Sequence, residues 1–283
     1  MTGWSPLRLA RSAAIAAGRV LLSERPAVIA RGASATKSSP TDPVTQADLA
    51  AQRVIADLLA AARPADGLLG EEGLDRPGET GWQWIIDPLD GTVNYLYGND
   101  EWAVSIAARD EAGTAVGVVH APALGRTYTA VRGGGCYLDD RRLAVRRDRD
   151  LSRAVVGTGF SYDAATRAAQ AAVLARVLPR VADIRRCGSA ALDLARVASG
   201  GLDAFYENDL EQWDWAAGAL LASEAGAVVS PLAGPGRRSG ILAASPDLAA
   251  PLARLLLSVL SGPRRSLRLS ELVTRSSRAR LAL

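Results

Sequence analysis

Carboxylates recur in this chain where apolar runs end. Glu71-Glu72 follows Gly67–Gly70, Asp87 and Asp90 follow Trp82–Ile86, and Asp214 opens a helical stretch in Trp213-Asp214-Trp215. The most informative segment is Asp87-Pro88-Leu89-Asp90-Gly91-Thr92-Val93-Asn94. Pro88 stiffens the turn after the strand, so the two carboxylates can converge on one point. Gly91 lets the backbone approach a ligand closely, and the N–H groups from Gly91 onward can open a helix toward an anion. Such a site suits Mg²⁺ lying between protein and phosphate, because that ion takes a few carboxylates together with phosphate oxygens and water. The competing use of an isolated D-x-x-D-G-T is the capping of turns and helices, and this segment alone does not separate the two.

The elements that must position these residues follow from periodicity. Residues 6–25 carry Leu9, Ala13, Ala16, Ala17 and Val20 at helical spacing, with an end expected near Pro26. Residues 30–42 are polar and read as a loop or short hairpin. Asp42 or Thr45 caps a second helix running to about Arg63. Trp82–Ile86 reads as a strand stopping at Asp87-Pro88. Runs at Ala103–Ala108, Ala115–His120, Thr127–Val131 and Leu143–Val145 suggest an antiparallel meander. Beyond residue 150, short apolar runs (Ala154–Gly157, Ala204–Tyr206) alternate with helical stretches 163–178, 189–199 and 213–225, the last two closing at Gly200-Gly201 and Gly226. A length of 283 residues fits two packed subdomains. They are expected at 1–150, with most of the acidic motifs, and 151–262, followed by a basic tail, 263–283.

Composition excludes several classes. The chain has 33 basic and 30 acidic side chains, a net charge of +3. Six Arg and one Glu in 263–283 supply +5 of it, leaving −2 for residues 1–262. A basic nucleic-acid-binding body is not described by these numbers. His120 is the single histidine, so a Ser-His-Asp triad, a His-rich metal site or a His phosphocarrier would rest on it alone. Two cysteines, Cys136 and Cys187, are too few for a disulfide scaffold or a Cys-based zinc site, and a reducing, cytoplasmic setting is expected. Arg8, Arg11 and Arg19 interrupt the Ala-rich N-terminus, and no later run reaches the ~18 apolar residues of a membrane span. His120, Gly133-Gly134-Gly135 and the Arg/Asp-rich stretch 139–150 read as structural or solvated features. Cys187 reads as a buried bystander beside the pocket, and Trp82, Trp84, Trp213 and Trp215 as packing that braces the carboxylates.

Gly70-Glu71-Glu72, Asp87–Asn94 and Trp213-Asp214 resemble the three ordered motifs of the inositol monophosphatase family, Mg²⁺-dependent, lithium-sensitive phosphatases. Lys37-Ser38-Ser39-Pro40 with Asp48, Gly188-Ser189-Ala190-Ala191 and the segment from Gly200 to Glu207 extend the resemblance from about Leu9 to about Ala250. It implies an α/β layered sandwich of the inositol monophosphatase/fructose-1,6-bisphosphatase type, with alternating helix and sheet layers, and a homodimer. It implies two or three Mg²⁺ ions held by Glu71, Asp87, Asp90, Asp214 and the carbonyl of Leu89, with Glu71 also among the catalytic groups. Thr92 and Asp48 match the pair that positions and deprotonates the attacking water, and Gly91 and Thr92 match the phosphate-binding helix start. Asp90, Gly188, Ala190, Glu207 and Asp214 match positions that contact the substrate, and Lys37 falls where a third metal or the phosphate would be approached.

Charge supports the metal. Four carboxylates packed closely could not all stay ionised without cations between them. No His or Cys near the motifs offers a phosphate acceptor, so direct attack by activated water fits better than a phosphoenzyme. Glu207 favours a hydroxyl-rich ligand and repels a second phosphate, which points to myo-inositol monophosphate. Fructose 1,6-bisphosphate, histidinol phosphate and adenosine 3′,5′-bisphosphate are the alternatives within the family. A ligand-sensing module without catalysis would predict gaps in the metal set, and none is seen. Val93 and Glu211 depart from the usual pattern, and the tail is read either as an amphipathic extension for an acidic partner or membrane surface, or as a frayed terminus.

Overall fold

The computed structural model describes residues 5–32, 35–36, 43–236 and 238–260. Lys37 and its motif, and the 263–283 tail, lie outside the described residues.

The chain opens with helix α1 (Pro6–Arg31), the two-residue strands β1 (Ala35–Thr36) and β2 (Pro43–Val44), and helix α2 (Gln46–Ala62). Pro26 does not end α1: the helix runs five residues further, to Arg31. A proline there removes one helical N–H, but tertiary contacts hold the following turn. Arg25 reaches Asp100 at 2.7 Å and lies over the rings of Tyr95 and Trp102, and Val28 is buried. Thr45, rather than Asp42, caps α2, in a reciprocal box with Asp48.

Strands β3 (Gly67–Gly70), β4 (Leu74–Arg76) and β5 (Gln83–Asp90), the one-turn helix α3 (Thr92–Leu96), and strands β6 (Ala103–Asp110), β7 (Gly113–Ala121), β8 (Arg126–Val131), β9 (Gly135–Leu138) and β10 (Arg141–Arg142) follow. They build an eight-stranded sheet in the order β10-β9-β8-β7-β6-β5-β3-β4, antiparallel from β5 to β10 as the meander predicts, with β3 and β5 parallel. Leu143–Val145 is not a strand. Leu143 and Val145 are buried as alternation suggests, but the Val145 N–H bonds to the Ala225 carbonyl instead of a sheet partner. Gly133 and Gly134 turn between β8 and β9.

The second half contains β11 (Val155–Thr158), α4 (Ala164–Val177), β12 (Asp183–Arg185), α5 (Ala190–Ser199), β13 (Ala204–Glu207), α6 (Gln212–Glu224), β14 (Val228–Leu232), β15 (Gly240–Ala244) and α7 (Pro246–Leu260). The strands form a five-stranded mixed sheet, β12-β11-β13-β15-β14. Three apolar clusters glue five layers. One lies between α1/α2 and the first sheet, one fills the space around α5 and α6 between the two sheets, and one joins the second sheet to α4/α7. The result is the alternating helix and sheet sandwich expected from the sequence.

Candidate active site

Two kinds of element end meet in one cleft. The C-terminal ends of β3, β5 and β13 bring Glu71, Asp87 to Asp90, and Glu207, while the first turns of α2, α3, α5 and α6 bring Asp48, Thr92, Ala190 and Asp214. Helix N-termini favour negative charge, so this convergence tolerates acidic groups that would elsewhere repel one another.

The Asp87–Asp90 segment does not stop at Pro88. Strand β5 continues to Asp90 through a bulge: Asp87 faces Ser105 and Asp90 faces Ala103 on β6, so three steps on β5 span two on its partner. Pro88 has no N–H to give the ladder, and the bulge absorbs it. Without the extra residue, side chains three apart would point to opposite faces; with it, Asp87 and Asp90 share one.

Hydrogen bonds fix four of these carboxylates. Asp87 Oδ1 accepts the Leu89 N–H at 2.9 Å. Asp90 Oδ2 accepts Ser189 Oγ at 2.6 Å and the Ala191 N–H at 2.7 Å, although those partners lie 99 and 101 residues away. Asp214 Oδ2 accepts the Glu211 N–H at 2.7 Å in the capping box of α6. Asp48 Oδ2 accepts both the N–H and the hydroxyl of Thr45, and its Oδ1 stands 3.3 Å from Thr92 Oγ1. The Thr92 hydroxyl is also 3.1 Å from the Leu89 carbonyl, so its one proton is shared between two acceptors. The structure thus brings Thr92 and Asp48 together across 44 residues.

Burial pushes the Asp90 carboxyl up to about 6 against the bonds from Ser189 and Ala191. Burial raises Glu207 to about 8, with Arg186 opposing and Asp193 and Asp90 adding to the rise. Asp214 is held well above the usual carboxylate range by burial and then by the charges of Glu71 and Asp90. The donor set is one of hard oxygens with too much negative charge in too little water, which fits a divalent cation such as Mg²⁺. Among the described residues, no three acidic, His or Cys side chains already stand close enough to enclose an ion.

On the far side, Gly188 takes φ +91°, and Ala190 is the first residue of α5, with Ser189 as its cap. Glu207 ends β13, and its carboxylate lies against Gly159, where a Cβ would overlap it. Sequence reasoning missed Gly159, Asn94 and Arg186. Asn94 stood inside the quoted motif without a role; its amide joins Glu101 to Cys187. The Cys187 thiol is half-buried and pushed up to about 11, chiefly by burial, which marks it as a bystander. His120 bonds Thr127 Oγ1 at 3.0 Å. Trp84 braces a different carboxylate from those expected: its Nε1 donates to Asp66 at 3.0 Å.

The layered α/β sandwich gathers acidic side chains at strand ends of both its sheets, and comparison with known proteins places it among phosphoric monoester hydrolases. A model of the inositol monophosphatase family matches residues 5–261. An inositol-1-monophosphatase from Mycobacterium leprae (strain TN) is 46% identical over 233 residues, covering 77% of this chain and 79% of the relative. Among solved structures, extragenic suppressor protein suhB from Bartonella henselae superimposes with a TM-score of 0.82 at 37% identity, over 88% of this chain and 97% of that one. Mycobacterium tuberculosis SuhB gives 0.78 at 40% identity, over 89% and 96%. The chain belongs to the inositol monophosphatase family.

Proposed function

We propose that this protein hydrolyses the phosphoric monoester of a small polyol, inositol monophosphate foremost, with Mg²⁺ held by Glu71, Asp87, Asp90, Asp214 and the Leu89 carbonyl. When bound, the metal supplies positive charge that acidifies water and steadies the leaving oxygen. Thr92 orients the attacking water: its hydroxyl accepts from the water and passes a proton to Asp48 Oδ1, 3.3 Å away. As the water oxygen bonds to phosphorus the ester P–O bond breaks, and the departing alkoxide takes a proton from solvent. The Gly91–Thr92 turn faces the phosphate, and Gly188, Ala190 and Glu207 face the ring hydroxyls. The cleft is read as the seam between subdomains 1–150 and 151–262.

The observation that carries this reading is the gathering of the Asp90, Glu207 and Asp214 carboxyls beside the Thr92–Asp48 pair, with burial pushing each of the three above its ordinary value. The test is phosphate release from myo-inositol 1-phosphate, fructose 1,6-bisphosphate, histidinol phosphate and adenosine 3′,5′-bisphosphate, with Mg²⁺ and with EDTA. Mg²⁺-dependent release led by the inositol ester is expected. Release led by another ester reassigns the pocket, and no release from any of them refutes the reading.

A further inference from the structure

We infer that Asn94 is a positioning residue that locks the loop carrying Asp90 and Thr92 to the segment facing the ring, and that it thereby sets the preference for a polyol ester over a plain phosphomonoester. The inference rests on the function proposed above for the same cleft.

The Asn94 side chain is 9% exposed, and its amide nitrogen donates to the Glu101 carbonyl and to the Cys187 carbonyl, both at 2.7 Å. Carbonyls only accept, so the orientation of the amide is settled by its partners and both of its hydrogens are committed. Glu101 leads into β6 and Cys187 leads into Gly188, so one side chain joins its own helix to the nearby start of β6 and to a segment 93 residues away.

Two glycines allow this approach. Gly91 has φ +94°, and a Cβ there would sit 3.0 Å from the Glu101 carbonyl oxygen and 3.2 Å from that of Gly188. A Cβ at Gly188 would stand 2.9 Å from Asn94 Nδ2. The phosphate-facing glycine thus packs against the backbone of the ring-facing glycine, and the Asn94 amide lies against Gly188. Left-handed backbone at both positions is available to glycine at little steric cost.

Two other ties accompany this one. Asp90 Oδ2 holds Ser189 and Ala191. Arg196 of α5 bridges Asp193 at 3.0 Å and Glu101 at 2.6 Å. Both of those ties use ionised groups, and Asp90 must also answer to a cation when one is present. The Asn94 tie is neutral, an amide donating to two carbonyls. It therefore fixes the distance from Thr92, where phosphate is attacked, to Gly188 and Ala190, where ring hydroxyls are read. An ester without ring hydroxyls has no use for that distance.

The test compares kcat/KM for myo-inositol 1-phosphate and p-nitrophenyl phosphate in the full chain and in Asn94→Ala, Asn94→Ser and Asn94→Asp. Amide hydrogen exchange over 187–191 is followed in the same proteins. Losing both bonds in Asn94→Ala is expected to lower the polyol-to-aryl ratio about tenfold. Ser, with one donor, should fall between Ala and wild type, while Asp, isosteric but without a donor, should do no better than Ala. Exchange should quicken in 187–191 while the later turns of α5 stay protected. An equal fall for both esters, or unchanged exchange in 187–191, overturns the proposal. If wild type releases phosphate from neither ester, the functional reading fails and the exchange measurement alone decides the role of Asn94.

Discussion

A metal-free form of this protein should lose stability as pH rises from weakly acidic to weakly basic. Glu207 carries the argument. Its ordinary value is 4.5, and in the fold it is pushed up to about 8 by burial, with the charges of Asp193 and Asp90 adding and Arg186 opposing. A carboxyl whose value is raised on folding holds a proton that the unfolded chain has already released. Folding is then favoured below that window and disfavoured as pH climbs through it. Between about pH 6 and about pH 8, Glu207 alone should remove about 2 kcal/mol. For a chain of this size that is a fall in Tm of about 4–8 °C. Asp214, held high by burial and then by Glu71 and Asp90, acts in the same direction. Mg²⁺ should reverse the pattern, because a cation among these oxygens favours their ionised forms and releases protons as it binds. The assay is thermal unfolding at the two pH values, in EDTA and in excess MgCl₂, with proton release measured in weakly buffered solution. A Tm in EDTA that is flat or rises with pH would refute the reasoning. So would a Mg²⁺ stabilisation of equal size at both pH values.

Asp90→Asn should weaken Mg²⁺ binding and lower kcat/KM about a hundredfold or more, with an unchanged circular dichroism spectrum; near-normal turnover would remove Asp90 from the site. Gly159→Ala should displace the Glu207 carboxylate it supports and raise KM for the polyol ester about tenfold, with a smaller effect on kcat, as steady-state kinetics would reveal. Asp66→Ala should cost about 3 kcal/mol in urea denaturation and leave KM unaltered. Asp66 is buried, takes bonds from Arg63, Thr80 and Trp84, and lies away from the cleft.

The candidate site was legible wherever chemistry is local. Glu71, Asp87, Asp90 and Asp214 stand where apolar runs end or helices begin, and a strand or helix terminus is a feature of neighbouring residues. Thr45 announces α2 for the same reason, since its box with Asp48 spans three residues. Contacts that join distant segments leave no such trace. Nothing near Asp90 says that it will hold Ser189 and Ala191, and nothing near Asn94 names Cys187. The fold behaves likewise. Pro26 predicts the end of a helix on local grounds, and Arg25 overrides it through Asp100, Tyr95 and Trp102. Leu143 and Val145 have the burial of a strand, yet the Val145 N–H is taken by the end of α6. Helix α7, with Pro251 in its interior, survives because Leu248, Leu252 and Leu256 stack at helical spacing into the cluster under the second sheet.

These long-range contacts explain why so acidic a cleft can exist at all. Three of the carboxylates occupy the N-terminal turn of a helix or accept hydrogen bonds from one: Asp48 in α2, Asp214 in α6, and Asp90 beside the start of α5. Donors offset part of the desolvation, so the groups remain ionisable within a usable range, and the residual repulsion is what a cation relieves. Filling these positions with apolar side chains would gain stability and forfeit metal affinity. The pH trend in EDTA measures the burial cost and the residual repulsion together, and its reversal by Mg²⁺ would tie both to the ion the cleft is proposed to hold.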